Sequence, residues 1–308
     1  MSTSTESFKT VPQGAFAANL TCFMAMAMWS FAFPIAEVLL ETWDTVALVF
    51  WRMLSGVVAL LIFWVIKEGW QQIIDANWRC GIGVGGFGFG FGSVLFLAGQ
   101  AMSDAVTPAI AASMMPVVGA YLEVLLDGRR MRFRLLLGIV CALAGGLLAT
   151  GTRLDEGNFG WGSLLCLISV VLFAWATRAT TRSFPTLTFT GQTTITLCGA
   201  QIMLAVIYVT MLVAGVGGTH VGSTTPYHIV LLIFAGVASA ALAQFLWIRA
   251  ASSLGILLAS FHMNAVPFYV MVIMVMFLGS SWNWWQSMGA AIVGFGVWLA
   301  QSGVRARG

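Results

Sequence analysis

Charged side chains are scarce in this chain. Aspartate, glutamate, lysine and arginine together make up 8% of the 308 residues, whereas a soluble globular domain carries about 25%. Hydrophobic residues reach 59%, and the mean hydropathy is +0.93. The shortage of charge excludes a soluble globular domain and predicts an all-α integral membrane protein in a lipid bilayer. A chain of this length has room for roughly ten membrane helices of about 20 residues each.

Paired cysteines and basic patches are also missing. The five cysteines show no CxxC spacing, so the sequence predicts neither a disulfide framework nor a metal site. Lysine and arginine lie in short segments and form no patch for nucleic acid. Residues 81–88 match the GxGxxG pattern, but no strand precedes them, as a dinucleotide site would require. Their small-xxx-small spacing instead predicts close helix packing, and no cofactor is expected.

Apolar runs predict ten transmembrane helices, separated by turn residues and charges. The predicted helices cover residues 14–33, 45–66, 81–101, 104–126, 135–150, 161–179, 189–214, 227–248, 253–278 and 284–303.

Basic residues fall on one side of this arrangement. With the N-terminus in the cytoplasm, twelve of the fourteen lysines and arginines face the cytoplasm. The exceptions are Arg153 in an outer loop and Arg52 within the second helix. The outer loops instead carry acidic residues, Glu37, Asp44 and Asp104 among them. Because lysine and arginine collect in cytoplasmic loops, both termini are predicted to be cytoplasmic.

The chain contains an internal duplication. A shift of 151 residues superimposes residues 95–151 on residues 246–302 without a gap, and Pro116 falls on Pro267. Glycines are kept at the same positions, although few other residues are identical. The kept glycines, prolines and hydropathy therefore indicate two copies of one helical unit.

The turns at residues 127–134 and 278–285 distinguish the two copies. The first turn carries four arginines, and the second carries three tryptophans and no arginine. Arginine marks the cytoplasmic face, whereas tryptophan is accepted at either membrane interface. The second copy is thus predicted to be inverted. The fold predicted from the sequence is an inverted five-plus-five repeat, with one unit at residues 14–150 and the other at residues 161–303.

An alanine- and serine-rich helix ends in a mid-membrane proline at residues 109–116, and a Gly-Arg turn follows it. Trp29 and Ser30 stand near the end of the first helix, and Arg52 stands early in the second. These motifs resemble the EamA repeat of the drug/metabolite transporter superfamily. Arg129 departs from the pattern, because the family usually has an acidic residue after that glycine. The resemblance implies ten helices, cytoplasmic termini and transport of small metabolites, frequently export.

Pro116 and Pro267 are candidate hinges. Each lies near the centre of a predicted helix, where proline removes a backbone hydrogen bond and kinks or loosens the helix. Freed carbonyls at membrane depth are tolerated where they face protein or a watery cavity. The alternative is a static packing kink.

His262 and Asn264 are candidate substrate contacts just before Pro267. Ser113 is the counterpart of Asn264 in the first copy. Polar groups at this depth cost free energy unless they are paired or hydrated. An imidazole and an amide can hydrogen-bond a zwitterion, and histidine can titrate near neutral pH. The alternative is an interhelical hydrogen bond with a purely structural role.

Arg52 is a candidate contact for a substrate carboxylate. It lies seven residues into the second helix, and its guanidinium can bind a carboxylate through two hydrogen bonds. The alternative is an ion pair with Glu37, Glu41 or Asp44 in the first outer loop, with the arginine stem reaching toward the interface.

Aromatic residues are the remaining candidates for the binding site. Trp29, Trp175 and Tyr269 lie on helices expected to line a cavity, and Gln244 adds a polar group to this set. Tyr269 lies seven residues after His262, which predicts one helix face for both. Predicted helices one, three, four, six, eight and nine should surround the site. For each aromatic residue the alternative is a lipid-facing or helix-facing position.

The spans lack a central Asp or Glu. An exporter of hydrophobic cations needs such a buried carboxylate, so its absence argues against a drug–proton antiporter. The sequence and the resemblance together predict a monomeric, alternating-access exporter of small metabolites, most closely amino acids including bulky ones, in the bacterial inner membrane. A drug or nucleotide-sugar-like carrier is the alternative. An intramembrane enzyme is a remote one, because no nucleophile–base or metal constellation is present.

Overall fold

The computed structural model describes residues 13–127, 133–150, 160–254 and 259–302, and this part of the chain is helical without strands. Two helices contain a π-helical stretch, named here the first π segment (Gly85–Phe91) and the second π segment (Ala235–Leu242). The α-helices are α1 (Gln13–Ser30), α2 (Ala32–Leu40), α3 (Thr45–Glu68), α4 (Trp70–Ile74), α5 (Trp78–Val84), α6 (Gly92–Ala101), α7 (Val106–Ser113), α8 (Met115–Asp127), α9 (Phe133–Thr150), α10 (Trp161–Ser183), α11 (Phe189–Val213), α12 (Pro226–Phe234), α13 (Ala243–Leu254), α14 (Val266–Leu278) and α15 (Trp284–Ser302).

Six of the described helical stretches are long and apolar enough to cross a membrane. They cover Phe16–Leu40, Thr45–Glu68, Trp78–Ala101, Trp161–Ser183, Phe189–Val213 and Pro226–Leu254. Two shorter apolar helices, Val106–Gly119 and His262–Leu278, lie among them. The chain is therefore a multi-pass membrane protein. The Arg-containing turn at residues 128–132 and the segments at 151–159 and 303–308 lie outside the described residues.

The first helix differs from its prediction. It was expected to end at residue 33, but it continues to Leu40 after a break at Phe31. Pro34 explains the break, because it has no N–H to donate to the carbonyl of Ser30 four residues earlier. The assignment of Glu37 to an outer loop was wrong, since it lies on α2.

The boundary predicted between residues 248 and 253 was also wrong. α13 continues to Leu254. The hydroxyl of Ser252 donates to the carbonyl of Ile248 at 2.8 Å, and that of Ser253 donates to the carbonyl of Arg249 at 3.1 Å. These hydroxyls are satisfied by carbonyls of the preceding turn, so the helix accommodates them without ending.

The duplication is visible in the boundaries of the elements. The 151-residue shift that superimposes the sequence copies also places the start of α6 on that of α13, α8 on α14 and α9 on α15. The first π segment overlaps the second in the same register. Two copies of one sequence pattern therefore break their helices at the same places.

Helices of the two predicted units, residues 14–150 and 161–303, pack against one another. α1 packs against α13, while α10 packs against α6, the element that the 151-residue shift places on the start of α13. α3 lies on the second π segment, α11 lies on the first, and α9 packs along α15. Each half thus supplies helices that cover the other half, so the interior lies between them.

Glycines bring these helices into close contact, as the small-xxx-small pattern predicted. A Cβ atom at Gly85 would overlap the Thr196 carbonyl, and one at Gly88 would overlap the Ala176 side chain. In the second copy a Cβ at Gly236 would overlap the Arg52 carbonyl. The prediction of close packing is confirmed, and it explains why the π segments fit against their neighbours.

Candidate functional site

A partly open cavity lies between helices of residues 13–150 and helices of residues 160–302. It measures about 100 Å³ as the volume open to the centre of a water molecule. All six helices predicted to surround the site (one, three, four, six, eight and nine) contribute side chains to its wall. α3 and α11 contribute to it as well. The aromatic members of the wall are Trp29, Phe33, Phe89, Phe96, Phe173 and Trp247.

Five of these six rings, all except that of Trp247, are linked by ring contacts. Trp29 stacks on Phe96 with ring centroids 6.2 Å apart and meets Phe33 edge-on at 5.2 Å. Phe96 also contacts Phe173 at 5.6 Å. Offset and edge-on aromatic contacts add attraction beyond buried area, so this wall is a rigid surface against which an apolar group can stack.

Five polar side chains interrupt the wall: Arg52, Ser93, Gln100, Thr177 and Gln244. Gln100 donates from Nε2 to the carbonyl oxygen of Phe33 at 2.8 Å, which ties α6 to α2. Arg52 is different, because its Nε is buried and has no hydrogen-bond partner in the part of the chain that the structure describes. A buried guanidinium nitrogen without a partner is a costly arrangement, and it makes Arg52 the most distinctive group in the wall.

Two of the three acidic residues considered as ion-pair partners of Arg52 have other surroundings. Asp44 accepts hydrogen bonds from the backbone N–H groups of Gly218 and His220, at 3.0 and 2.9 Å. Glu41 is exposed at the end of α2. Asp44 therefore binds the segment that follows α11. Arg52 lines the cavity.

Of the residues predicted for the site, the structure brings Trp29, Arg52 and Gln244 to the cavity wall. The others lie elsewhere. Trp175 meets Phe87 edge-on at 5.9 Å, and Tyr269 meets Phe23 edge-on at 5.8 Å.

The polar candidates before the prolines also lie off the wall. Ser113 is buried and donates to the Ile110 carbonyl at 2.7 Å. The Nδ1 atom of His262 lies 3.3 Å from the Ala259 carbonyl oxygen. Asn264 has a buried Oδ1 without a partner among the described residues. Phe261–Ala265 is a 3-10 helix, so the α-helical spacing assumed between His262 and Tyr269 does not hold.

Sequence reasoning missed Ser93, Phe96, Gln100, Phe173 and Thr177. A signal was available, since positions 93, 96 and 100 follow the i, i+3, i+7 spacing of one helix face. Positions 173 and 177 are four residues apart and also share one face of α10. Helical spacing names a face, but it does not say whether that face meets lipid, another helix or a cavity.

The two candidate hinges each follow a break in the helix. Pro116 is the second residue of α8, after a one-residue break at Met114. Pro267 is the second residue of α14, after the 3-10 segment. In the first turn of a helix the N–H that proline lacks has no intrahelical partner. The breaks are therefore compatible with proline, and the hinge function stays a prediction.

Comparison with known proteins agrees with this architecture. No curated protein matches the chain, whereas sixteen chains of solved structures do. One crystal structure superposes with a TM-score of 0.69 over 94% of this chain and 99% of its own, at 15% identity. Identity this low shows a shared fold alone. The model of the EamA-like transporter family matches residues 16–151. This match confirms the resemblance read from the sequence, and over residues 16–151 the chain is similar to the EamA-like transporter family.

Proposed function

We propose that the chain is a secondary transporter that exports amino acids, including bulky ones, across the bacterial inner membrane by alternating access. The family is one of membrane transporters for small molecules. The observation that carries the proposal is an aromatic cavity lined by helices from both predicted units of the chain. Carriers built from inverted repeats bind substrate where the repeats meet.

Alternating access is supported by the matched breaks in the two copies. The π segments and the breaks before Pro116 and Pro267 recur in one register. π-helical stretches are frequent at functional sites, because they offer an alternative hydrogen-bonding pattern. Small movements at these breaks would open the cavity first to one side and then to the other. One chain supplies both halves, so we propose a monomer. Because lysine and arginine fall on one side of the predicted helices, we also propose that both termini are cytoplasmic.

Within this proposal Trp29, Arg52 and Gln244 contact the substrate. Pro116 and Pro267 act as hinges. The remaining candidates, Ser113, Trp175, His262, Asn264 and Tyr269, support the helices around the breaks. A carrier of hydrophobic cations is disfavoured, because the described residues of the cavity wall include no aspartate or glutamate.

Counterflow of labelled amino acids into proteoliposomes, with and without an imposed proton gradient, tests the proposed function. We expect exchange of labelled phenylalanine against unlabelled phenylalanine on the other side. The absence of exchange for every amino acid, in protein shown to be folded, would reject the substrate assignment.

Alternating access has a separate test. A single cysteine at Gln244 in a cysteine-free background should react with a membrane-impermeant reagent from either face of the membrane, in proportions that substrate changes. Met276→Cys serves as the control, because Met276 is exposed on α14 and lies outside the cavity wall. Labelling of Gln244→Cys from one face only, with or without substrate, would contradict the mechanism.

A further inference from the structure

Charge in the cavity wall has one sign. Among the described residues that line the cavity, Arg52 alone is charged, and the other polar groups are neutral hydroxyls and amides. Arg52 lies on α3, where Gly236 of the second π segment packs against its carbonyl group. That contact fixes the backbone of the arginine against the opposite half of the protein.

The guanidinium has donors to offer. Its Nε is buried and has no hydrogen-bond partner in the described part of the chain, and the Asp44 carboxylate already accepts two backbone N–H groups. Guanidinium presents a rigid fork of N–H donors that matches a carboxylate. A carboxylate from a bound substrate would accept hydrogen bonds from these N–H donors. It would also neutralise the positive charge of Arg52.

An ammonium group finds no equivalent partner. The described wall contains no carboxylate, so a substrate ammonium would meet neutral polar groups, the amides of Gln100 and Gln244 and the hydroxyls of Ser93 and Thr177 among them. Neutral groups bind a cation more weakly than an opposite charge does. Recognition therefore depends on the carboxylate and on the apolar body that stacks against the aromatic wall.

We infer that Arg52 anchors the substrate carboxylate, and that the chain carries small monocarboxylates with an aromatic or bulky apolar body whether or not they also bear an ammonium group. This inference rests on the proposed transport function and extends it from amino acids to carboxylates without an amine. It excludes the corresponding amines.

Three compounds with one phenyl ring and the same two-carbon linker test the inference. Phenylalanine carries a carboxylate and an ammonium, 3-phenylpropionate carries only the carboxylate, and phenethylamine carries only the ammonium. In counterflow with the wild-type protein, we expect 3-phenylpropionate to exchange within threefold of phenylalanine, at about the same affinity. We expect phenethylamine to exchange at less than about a tenth of that rate, since an unpaired buried charge is strongly disfavoured.

Two arginine variants form a matched pair. Arg52→Gln should lower exchange of both carboxylates by at least about tenfold, the usual scale for losing a hydrogen bond to a charged group. Arg249→Gln removes the same charge from an exposed position on α13 and should leave exchange unchanged. Arg52→Lys keeps the charge without the fork and should fall between Arg52→Gln and the wild type.

Binding by the wild-type protein keeps the test independent of how the variants fold. In detergent, 3-phenylpropionate and phenylalanine should raise the melting temperature, and phenethylamine should not. Stabilisation by both carboxylates without exchange would sustain the anchor and reject the transport function. Exchange of phenylalanine but not 3-phenylpropionate, or equal exchange of phenethylamine, would overturn the inference and leave the transport function standing. Neither binding nor exchange of any probe would overturn both.

Discussion

Replacing Gly85 by alanine places a methyl group in the contact between the first π segment and α11. The new Cβ would overlap the carbonyl oxygen of Thr196 and lie 2.7 and 2.9 Å from its carbonyl carbon and Cα. All three atoms belong to the backbone, so no side-chain rotation relieves the overlap. The two helices must separate by about 1 Å, and close-packed interiors resist such a shift.

The cost follows from the overpacking of buried sites, which is typically about 1–3 kcal/mol. It is not offset by the gain in helix propensity from glycine to alanine, about 0.5–1 kcal/mol. We therefore expect Gly85→Ala to lower the apparent melting temperature of the purified protein by several degrees. Thermal unfolding in detergent, followed by the loss of monodisperse protein on size exclusion, measures the effect.

Gly83 provides the matched control. It lies two residues away on the same helix, and a Cβ atom there would meet nothing within 4 Å. Gly83→Ala should leave the apparent melting temperature unchanged or raise it slightly, because only the propensity gain applies. Equal melting temperatures for Gly85→Ala and Gly83→Ala, or a larger loss for Gly83→Ala, would refute the close helix contact on which the reasoning depends.

Three further substitutions test other contacts of the fold. Asp44→Ala should speed hydrogen exchange at the amides of Gly218 and His220, which donate to the Asp44 carboxylate; unchanged exchange rates would show that the clamp does not form. Gln100→Leu should cost about 1 kcal/mol of stability, since it removes the 2.8 Å bond from α6 to α2, and an unchanged melting temperature would contradict this. Pro267→Ala should change stability by less than about 1 kcal/mol, because a first-turn proline gives up no helical hydrogen bond, yet slow counterflow if the residue is a hinge. A large loss of stability would instead make Pro267 a structural residue.

Local sequence pattern located most of the helices. Apolar runs placed α3, α10 and α11 within a few residues of their observed positions, because hydropathy over about 20 residues reflects the membrane itself. The errors arose where polar residues continue a helix, as at Ser252 and Ser253. Their hydroxyls bond to carbonyls one turn earlier, a local compensation that a hydropathy profile does not register.

The candidate site was anticipated less well. Arg52, Trp29 and Gln244 were among the residues predicted, and all three line the cavity. His262, Asn264 and other polar residues near the prolines were selected for their depth in the membrane, but the helix is broken there and their side chains lie off the wall. The depth of a residue in the membrane follows from its position in the sequence. The direction in which its side chain points depends on the local winding of the helix.

The membrane class, most helix positions and the register of the duplication follow from the amino-acid sequence. These properties depend on composition, on runs of neighbouring residues and on a repeated pattern of glycine and proline. Tertiary structure alone decided which side chains share the cavity. The bond from Gln100 to Phe33 spans 67 residues, and the bond from His220 to Asp44 spans 176. Contacts at such separations depend on how two interlocked halves pack, and no local periodicity encodes that packing.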